Sequence, residues 1–142
     1  MDEKEVERRK QIEKYLDAGH GECFLRDERI AEIVKDTLLH FDGERYELHE
    51  WVIMPNHVHA LMEMCEAWPL GTVLHSWKSF SAQQVAKMTR PRGHFWQVDY
   101  FDRFMRDEAH LQRAIAYIEN NPVKAGLCAA PGDWPYGSAR LK

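Results

Sequence analysis

The sequence predicts an α+β fold with helices packed on one face of an antiparallel sheet. Two strand-like runs, residues 45–54 and 57–64, are separated only by Pro55-Asn56, which predicts an antiparallel pair. The aromatic run over residues 95–105 predicts a third strand. Amphipathic helical segments surround these runs, and helices on the apolar face of such a sheet give the α+β class.

The first two helices are predicted from their capping residues. Asp2 with Glu5 three residues later resembles a capping box, so a helix is expected from there to about Ala18. Asp27 is the expected N-cap of a second helix, whose apolar residues Ile30, Ile33, Val34 and Leu38 have the spacing of a buried face. Asp42-Gly43 should end it.

Two further helices are predicted in the second half of the chain. Thr72 is the expected cap of a helix over roughly 73–89, with Leu74, Trp77, Val85 and Met88 facing inward. Asp107 is the expected cap of the last helix, which should bury Leu111, Ala114, Ile115 and Ile118. That helix should end near Asn121, because Pro122 disfavours the helical conformation of the residue before it.

Composition indicates one globular domain over residues 1–142. Hydrophobic residues make up 44% and charged residues 30% of the chain. No apolar run approaches the roughly 18 residues that a membrane span needs, and the charged start is unlike a secretory signal, so a cytoplasmic location is predicted. Cys23, Cys65 and Cys128 lie far apart without a C-x-x-C pair, which argues against disulfides and structural zinc.

The charge is unevenly distributed. The net charge is −4, but residues 1–70 are strongly acidic and residues 71–142 carry a positive balance. Between Ala67 and Val98 there is no acidic residue, and the four bases are Lys78, Lys87, Arg90 and Arg92. This stretch can attract a polyanion such as DNA, or it can be an ordinary solvated helix face.

His57-Val58-His59 is the first candidate site. Side chains alternate along a strand, so residues i and i+2 share a face and both imidazoles can reach one divalent ion. The motif is short and the chain has 8 histidines, so two ordinary surface histidines on a hairpin remain the alternative.

Tyr117 and Asn121 are the second candidate. They stand four residues apart on the last predicted helix and therefore lie on the same side. That side is rotated away from the apolar face, so Tyr117 need not be wholly buried. A phenol can act as a covalent nucleophile when a base or a metal helps it to ionise. The alternative is a tyrosine at the edge of the core and an asparagine at a helix end.

Several segments in order, WVIMPNHVHALMEM, HSWKSF, FWQVDYFDRFMRDE, AYIENNPVKAGL and DWPYGSAR, resemble the REP-associated single-tyrosine transposases. These are HUH endonucleases of the IS200-like transposase family, named for a His-hydrophobic-His motif. The resemblance runs from about Gly19 to the C-terminus. It implies a ferredoxin-like fold with the HUH motif on a central strand, and a metal-dependent nuclease and strand-transferase that acts beside hairpins in single-stranded DNA.

The resemblance also implies roles for individual residues. His57 and His59 match the metal-binding histidines, Tyr117 matches the nucleophile that forms a 5′-phosphotyrosine, and Asn121 matches a third metal ligand. The cofactor would be Mg²⁺ or Mn²⁺. Lys78, Lys87, Arg90 and Arg92 would contact the DNA backbone. Trp77, Phe95 or Trp96 would stack on unpaired bases, although Trp77 lies on the apolar helix face and is better explained as core.

The chain departs from the family at its N-terminus. Relatives begin with a strand within the sheet, whereas a charged helix is predicted here, so that strand is expected to be missing. A missing strand would expose a sheet edge and favour a homodimer. Two other functions remain open. One is a cleavage-deficient, domesticated protein that only binds hairpin DNA, and the other is a small metal-dependent hydrolase that uses the histidine pair.

Overall fold

The computed structural model describes residues 11–18, 24–88 and 95–142. Its elements follow in the order strand, helix, two strands, helix, strand and helix. The strands are β1 (Gln11–Ala18), β2 (Tyr46–Ile53), β3 (His57–Met64) and β4 (Trp96–Phe104), and the helices are α1 (Glu28–His40), α2 (Leu70–Ala86) and α3 (Glu108–Lys124). Short 3₁₀ turns occupy Phe24–Arg26, Pro131–Asp133 and Ser138–Leu141.

The four strands form one antiparallel sheet in the order β2-β3-β1-β4. Together with α1 and α2 this is the ferredoxin-like arrangement, so the predicted fold class is confirmed. The strand β3 carries His57 and His59 and lies inside the sheet between β2 and β1. The hairpin between β2 and β3 closes through the Met54 N–H, which donates to the His57 carbonyl at 2.8 Å.

The predicted N-terminal helix is wrong for residues 11–18, which form β1. Its earlier part, residues 2–10, lies outside the described residues. Ile12, Leu16 and Ala18 are buried on one face with the period of two that a strand gives. Partners on both sides, β3 and β4, satisfy its backbone, and this pairing overrides the local helical signal.

The strand that was expected to be missing is therefore in place. The strand β1 precedes α1 and lies in the interior of the sheet. The homodimer expected from an unpaired edge beside the histidine strand loses its structural basis, because β1 pairs along that edge.

The helices occupy both faces of the sheet, in contrast to the single face predicted. One core cluster joins α1 and α2 to Ile12, Trp51 and Val58. A smaller cluster on the other face joins Ala114 and Ile118 of α3 to apolar residues of β2 and β3. The reason is that side chains alternate along a strand, and β2 and β3 carry apolar residues on both of their faces. Each apolar face of the sheet must be packed against a helix to be kept from water.

Helix ends differ from the predictions at two places. The helix α2 begins after Pro69 and not after Thr72, with no side-chain cap, and Met88 is 37% exposed and not inward. The helix α3 begins after Asp107 as predicted but continues through Pro122 to Lys124. Pro122 costs one helical hydrogen bond, but its ring is buried, and the packing offsets the loss.

The segment after α3 covers the outer edge of β2. The Ile53 N–H donates to the Tyr136 carbonyl at 2.8 Å, and Gly137 forms a bridge with Val52. The Ser138 hydroxyl accepts a hydrogen bond from the Trp51 N–H at 2.9 Å. Half of this strand edge is thus paired within the chain.

Cys65 and Cys128 are free thiols in the structure, and Cys23 lies outside the described residues. Within the described part of the chain, none of the helices has the length and apolar character required to cross a membrane.

Candidate active site

His57 and His59 lie side by side on the face of β3 that α3 covers. Their ring centroids are 5.5 Å apart. The Asn56 Oδ1 atom lies 2.8 Å from Nδ1 of His57, so the turn before β3 supplies a partner for the first ring. The turn is itself fixed, because the Ala18 and Leu25 N–H groups donate to the carbonyls of Asn56 and Pro55.

His59 is held as a neutral imidazole. The His59 residue is only 4% exposed to solvent. Burial lowers the pKa of His59 to about 4, and the nearby His57 lowers it further by a smaller amount. A neutral ring keeps a nitrogen lone pair for a metal, so this environment suits a ligand near neutral pH.

Tyr117 stands opposite the histidines on α3. Its ring centroid is 5.3 Å from that of His59, with a tilt of 38° between the rings. The side chain is 51% exposed, so solvent and a bound molecule can reach it. This position confirms the expectation that Tyr117 is rotated away from the buried face, which Ala114 and Ile118 form.

Asn121 lies one turn after Tyr117 and is half-buried. Both residues line one shallow pocket, together with Asn120 and Lys124. The Asn121 Nδ2 atom is buried and makes no hydrogen bond within the described part of the chain. A buried N–H donor without an acceptor is costly, so this group is available to an acceptor oxygen of a bound molecule. A metal ion could bind only the amide oxygen, Oδ1. The ring of Tyr117 on α3 packs against the ring of His59.

Two of the predicted DNA-binding residues, Lys78 and Lys87, are not brought to this site. Lys78 lies in α2 and Lys87 directly follows it, on the opposite face of the sheet. Burial lowers the pKa of Lys78, whereas Lys87 is exposed at the helix end. Arg90 and Arg92 lie outside the described residues.

The aromatic residues expected to stack on bases are core residues. Trp77 is 2%, Phe95 4% and Trp96 8% exposed. The Trp77 indole donates to the Tyr46 hydroxyl, and the Trp96 indole donates to the Ser81 hydroxyl. A base-stacking role for these three side chains is therefore wrong.

Two groups of polar residues were missed by sequence reasoning. Glu13 on β1 is 6% exposed, and its Oε1 atom lies 3.9 Å from Nδ1 of His59. No sequence signal marked it, because residues 11–18 were assigned to a helix. The second group, Glu47, His49 and Glu63, brings ligand atoms within 4.8 Å of one another. Glu63 follows His59 by four positions on β3, which is about 13 Å along a strand, so this group is distinct from the histidine pair.

The other tyrosines with described side chains are poor candidates for a nucleophile. Tyr46 is fully buried, its hydroxyl donates to the Leu38 carbonyl, and burial raises its pKa to about 12. Tyr136 belongs to the C-terminal segment, where burial raises its pKa. The side chains of Tyr15 and Tyr100 lie outside the described set. The backbone of Tyr15 pairs with that of His59, which makes Tyr15 worth testing.

The fold and the site define a class of protein. It has a ferredoxin-like sheet with a histidine pair on an inner strand and a tyrosine-bearing helix against that pair. The chain belongs to the family of IS200-like transposases, whose profile matches residues 23–121. The match includes both histidines, Tyr117 and Asn121, and the resemblance identified in the sequence is confirmed.

Relatives agree with this assignment. A REP-associated tyrosine transposase of Escherichia coli K12 is 25% identical over 95 residues, covering 66% of this chain and 54% of its own length. A Haemophilus influenzae protein, provisionally given the same name, is 28% identical over 114 residues, covering 73% of this chain and 63% of its own length. The chain thus spans between about half and just under two thirds of these curated relatives.

A solved structure shares the fold. It is that of a REP-associated tyrosine transposase bound to a REP hairpin, with a TM-score of 0.78 at 17% identity. The superposition covers 94% of this chain and 79% of the other. At this identity the likeness establishes the fold and not the ligand.

Proposed function

We propose that the protein is a divalent-metal-dependent endonuclease and strand-transferase that acts on single-stranded DNA beside a hairpin. The observation that supports this most directly is the placement of a half-exposed tyrosine 5.3 Å from a buried neutral histidine, ring to ring. Membership in the IS200-like transposase family supports the same class of reaction. A cytoplasmic location, where DNA is accessible, remains a prediction of this proposal.

Tyr117 is the proposed nucleophile. Its hydroxyl oxygen would attack a DNA phosphorus, form a 5′-phosphotyrosine and displace the 3′ oxygen, which leaves as a hydroxyl after taking up a proton. The number of phosphoester bonds is conserved. The link can therefore be transferred to another 3′ hydroxyl without a nucleotide cofactor, which makes strand transfer possible.

His57, His59 and Asn121 are the proposed metal ligands. Two imidazoles, at least one kept neutral by burial, and an amide oxygen form a donor set that accepts Mn²⁺ or Mg²⁺. The atom of Asn121 that would bind the ion is the amide oxygen, Oδ1, since its Nδ2 group is a hydrogen-bond donor. The position of Asn121 beside Tyr117 in one pocket supports its part in the set. When bound, such an ion polarises the phosphodiester and neutralises developing charge.

The test is covalent capture of DNA by the purified chain. Incubation with labelled single-stranded hairpin DNA and Mn²⁺ should give an adduct that survives denaturing electrophoresis. Tyr117→Phe removes only a half-exposed hydroxyl, so hairpin binding and thermal stability should persist while the adduct and the cleaved strand disappear.

Two matched variants complete the experiment. Tyr136→Phe removes a hydroxyl in the C-terminal segment and should leave the adduct unchanged. Tyr15→Phe examines the tyrosine that pairs with His59 in the sheet. An adduct lost in Tyr15→Phe and kept in Tyr117→Phe would overturn the assignment. Hairpin binding without any adduct in the wild-type chain would favour the cleavage-deficient binding protein instead.

A further inference from the structure

Glu13 is a buried acidic residue on the site face of the sheet. It lies on β1, whose Ile12, Leu16 and Ala18 belong to the core on the α1 and α2 side. Glu13 points to the other side, where it meets His59, and it is only 6% exposed. Glutamate is almost never this buried unless its carboxyl group has a partner, so the position calls for a role.

The carboxyl group faces one particular nitrogen of His59. Glu13 Oε1 is 3.9 Å from His59 Nδ1, and both side chains are at most 8% exposed. The contact places a carboxyl oxygen beside an imidazole, which in its neutral form has one N–H and one lone pair. The distance of 3.9 Å is a close electrostatic approach and not a hydrogen bond. A carboxyl oxygen on the Nδ1 side of the ring still favours the tautomer with its proton there, which leaves the lone pair on Nε2.

His57 also has a side-chain oxygen on the Nδ1 side of its ring, at a shorter distance. Asn56 Oδ1 lies 2.8 Å from His57 Nδ1, within hydrogen-bond distance. The two neighbouring rings therefore both direct Nδ1 at a side-chain oxygen, one supplied by β1 and the other by the turn before β3. Metal-binding histidines commonly donate their second N–H to a carboxylate or carbonyl oxygen, which fixes the tautomer and the orientation of the ring.

We propose that Glu13 and Asn56 are positioning residues, which hold His59 and His57 in the tautomer protonated at Nδ1 so that both present Nε2 to one divalent cation. This inference rests on the metal site of the proposed function and extends it to the residues behind the ligands. Sequence spacing does not reveal Glu13, because 46 positions separate it from His59 and only the pairing of β1 with β3 joins them.

The experiment reads the tautomers directly. Long-range ¹H–¹⁵N NMR of the histidine rings in the metal-free wild-type chain should show both His57 and His59 protonated at Nδ1. Glu13→Leu removes the oxygen while filling its volume and should abolish the preference at His59 only. Asn56→Ala should abolish it at His57 only, so each variant is the control for the other.

The conservative variants distinguish positioning from direct ligation. Glu13→Gln and Asn56→Asp keep an acceptor oxygen and should keep the wild-type tautomers. Mn²⁺ affinity is measured by titration in a Glu63→Gln background, which disables the separate exposed group on β2 and β3. We expect affinity to fall about 10- to 100-fold in Glu13→Leu and Asn56→Ala and to be largely retained in the conservative pair.

Several outcomes would overturn the inference. One is the finding that His59 or His57 of the wild-type chain is protonated at Nε2. This measurement uses no variant, so it remains decisive even if Glu13→Leu fails to fold. Another is a tautomer or a Mn²⁺ affinity unchanged by removal of the oxygen. An equal loss in Glu13→Gln and Glu13→Leu would make Glu13 a ligand. Correct tautomers in a chain that forms no DNA adduct would instead refute the proposed function and leave the positioning role intact.

Discussion

At the scale of single residues, the burial of His59 has two opposite effects. It keeps the ring neutral near neutral pH, as the proposed role of His59 as a metal ligand requires. It also places a titratable group where its charged form is poorly solvated, so protonation opposes folding. The same burial that keeps the imidazole neutral therefore makes the fold sensitive to acid.

The acid sensitivity of the fold follows from the same shift. Between about pH 6.5 and about pH 4 the unfolded chain binds a proton at this ring that the folded chain does not bind. The free energy of unfolding should therefore decrease as the pH falls through this window, by up to about 3 kcal/mol. Denaturant unfolding at pH 7 and pH 4.5 measures the change in wild-type and His59→Asn chains. Equal losses in the two chains would contradict the prediction.

His57 allows a second prediction at the same scale. His57→Ala removes one proposed ligand from a half-buried position, so the Mn²⁺-dependent DNA adduct should disappear while hairpin affinity changes little, because phosphate contacts supply most affinity. Gel-shift and adduct assays on the same preparation separate the two effects. His49→Ala, on the neighbouring strand, is the control and should cleave normally. Parallel loss of binding and cleavage in His57→Ala would assign His57 to the DNA interface or the fold.

At the scale of elements, the C-terminal segment joins β2 to the helix that bears Tyr117. The Ser138 hydroxyl donates to Glu50 Oε2 at 2.7 Å and accepts from the Trp51 N–H. Glu50 is 3% exposed, and Lys142 contacts both Glu50 and Glu119 of α3. The segment therefore holds the sheet edge and the helix that bears Tyr117 together.

Loss of the Ser138 hydroxyl should destabilise the fold. Ser138→Ala leaves the buried carboxyl group of Glu50 and the Trp51 N–H each without one partner, which costs about 1–3 kcal/mol. Chemical unfolding measures the difference. Arg140→Ala, an exposed residue of the same segment, should stay within about 0.5 kcal/mol of the wild type. A Ser138→Ala chain as stable as Arg140→Ala would show that this junction does not hold the edge.

At the scale of the whole molecule, the two faces of the sheet differ in what they carry. The face that α3 covers bears the two histidines, with Tyr117 of α3 above them, whereas α1 and α2 pack on the other face and form the larger core. The basic residues of α2 lie on this second side. If DNA reaches Tyr117 and also contacts α2, it must pass around an edge of the domain.

The contribution of α2 to DNA binding can be measured by salt dependence. Lys87→Ala should weaken hairpin binding and reduce the slope of log affinity against log salt by about 1, because one phosphate contact releases about one counterion. The rate of adduct formation at saturating DNA should be unchanged. Lys35→Ala on α1 is the control with the same charge change. If the slope of log affinity against log salt is unaltered in Lys87→Ala, then the C-terminal end of α2 does not contact the DNA.

The sequence by itself determined the local features of this protein. The spacing of apolar residues, the caps Asp27 and Asp107, and the turn at Pro55-Asn56 specified two helices, α1 and α3, two strands, β2 and β3, and their order. The motif around His57 and His59 and the segment around Tyr117 specified the family. These signals are short-range, because capping, periodicity and motif spacing all act within a few residues.

Only the tertiary structure decided how these parts meet. It turned residues 11–18 into an inner strand, because pairing with β3 and β4 outweighs local helix preference. It placed α3 on the face opposite α1 and α2, which set Tyr117 against His59. It also placed the Glu13 carboxyl group beside the ring of His59, a residue 46 positions later in the sequence. Such contacts depend on strand pairing and burial across the whole sheet, and no pattern within one segment encodes them.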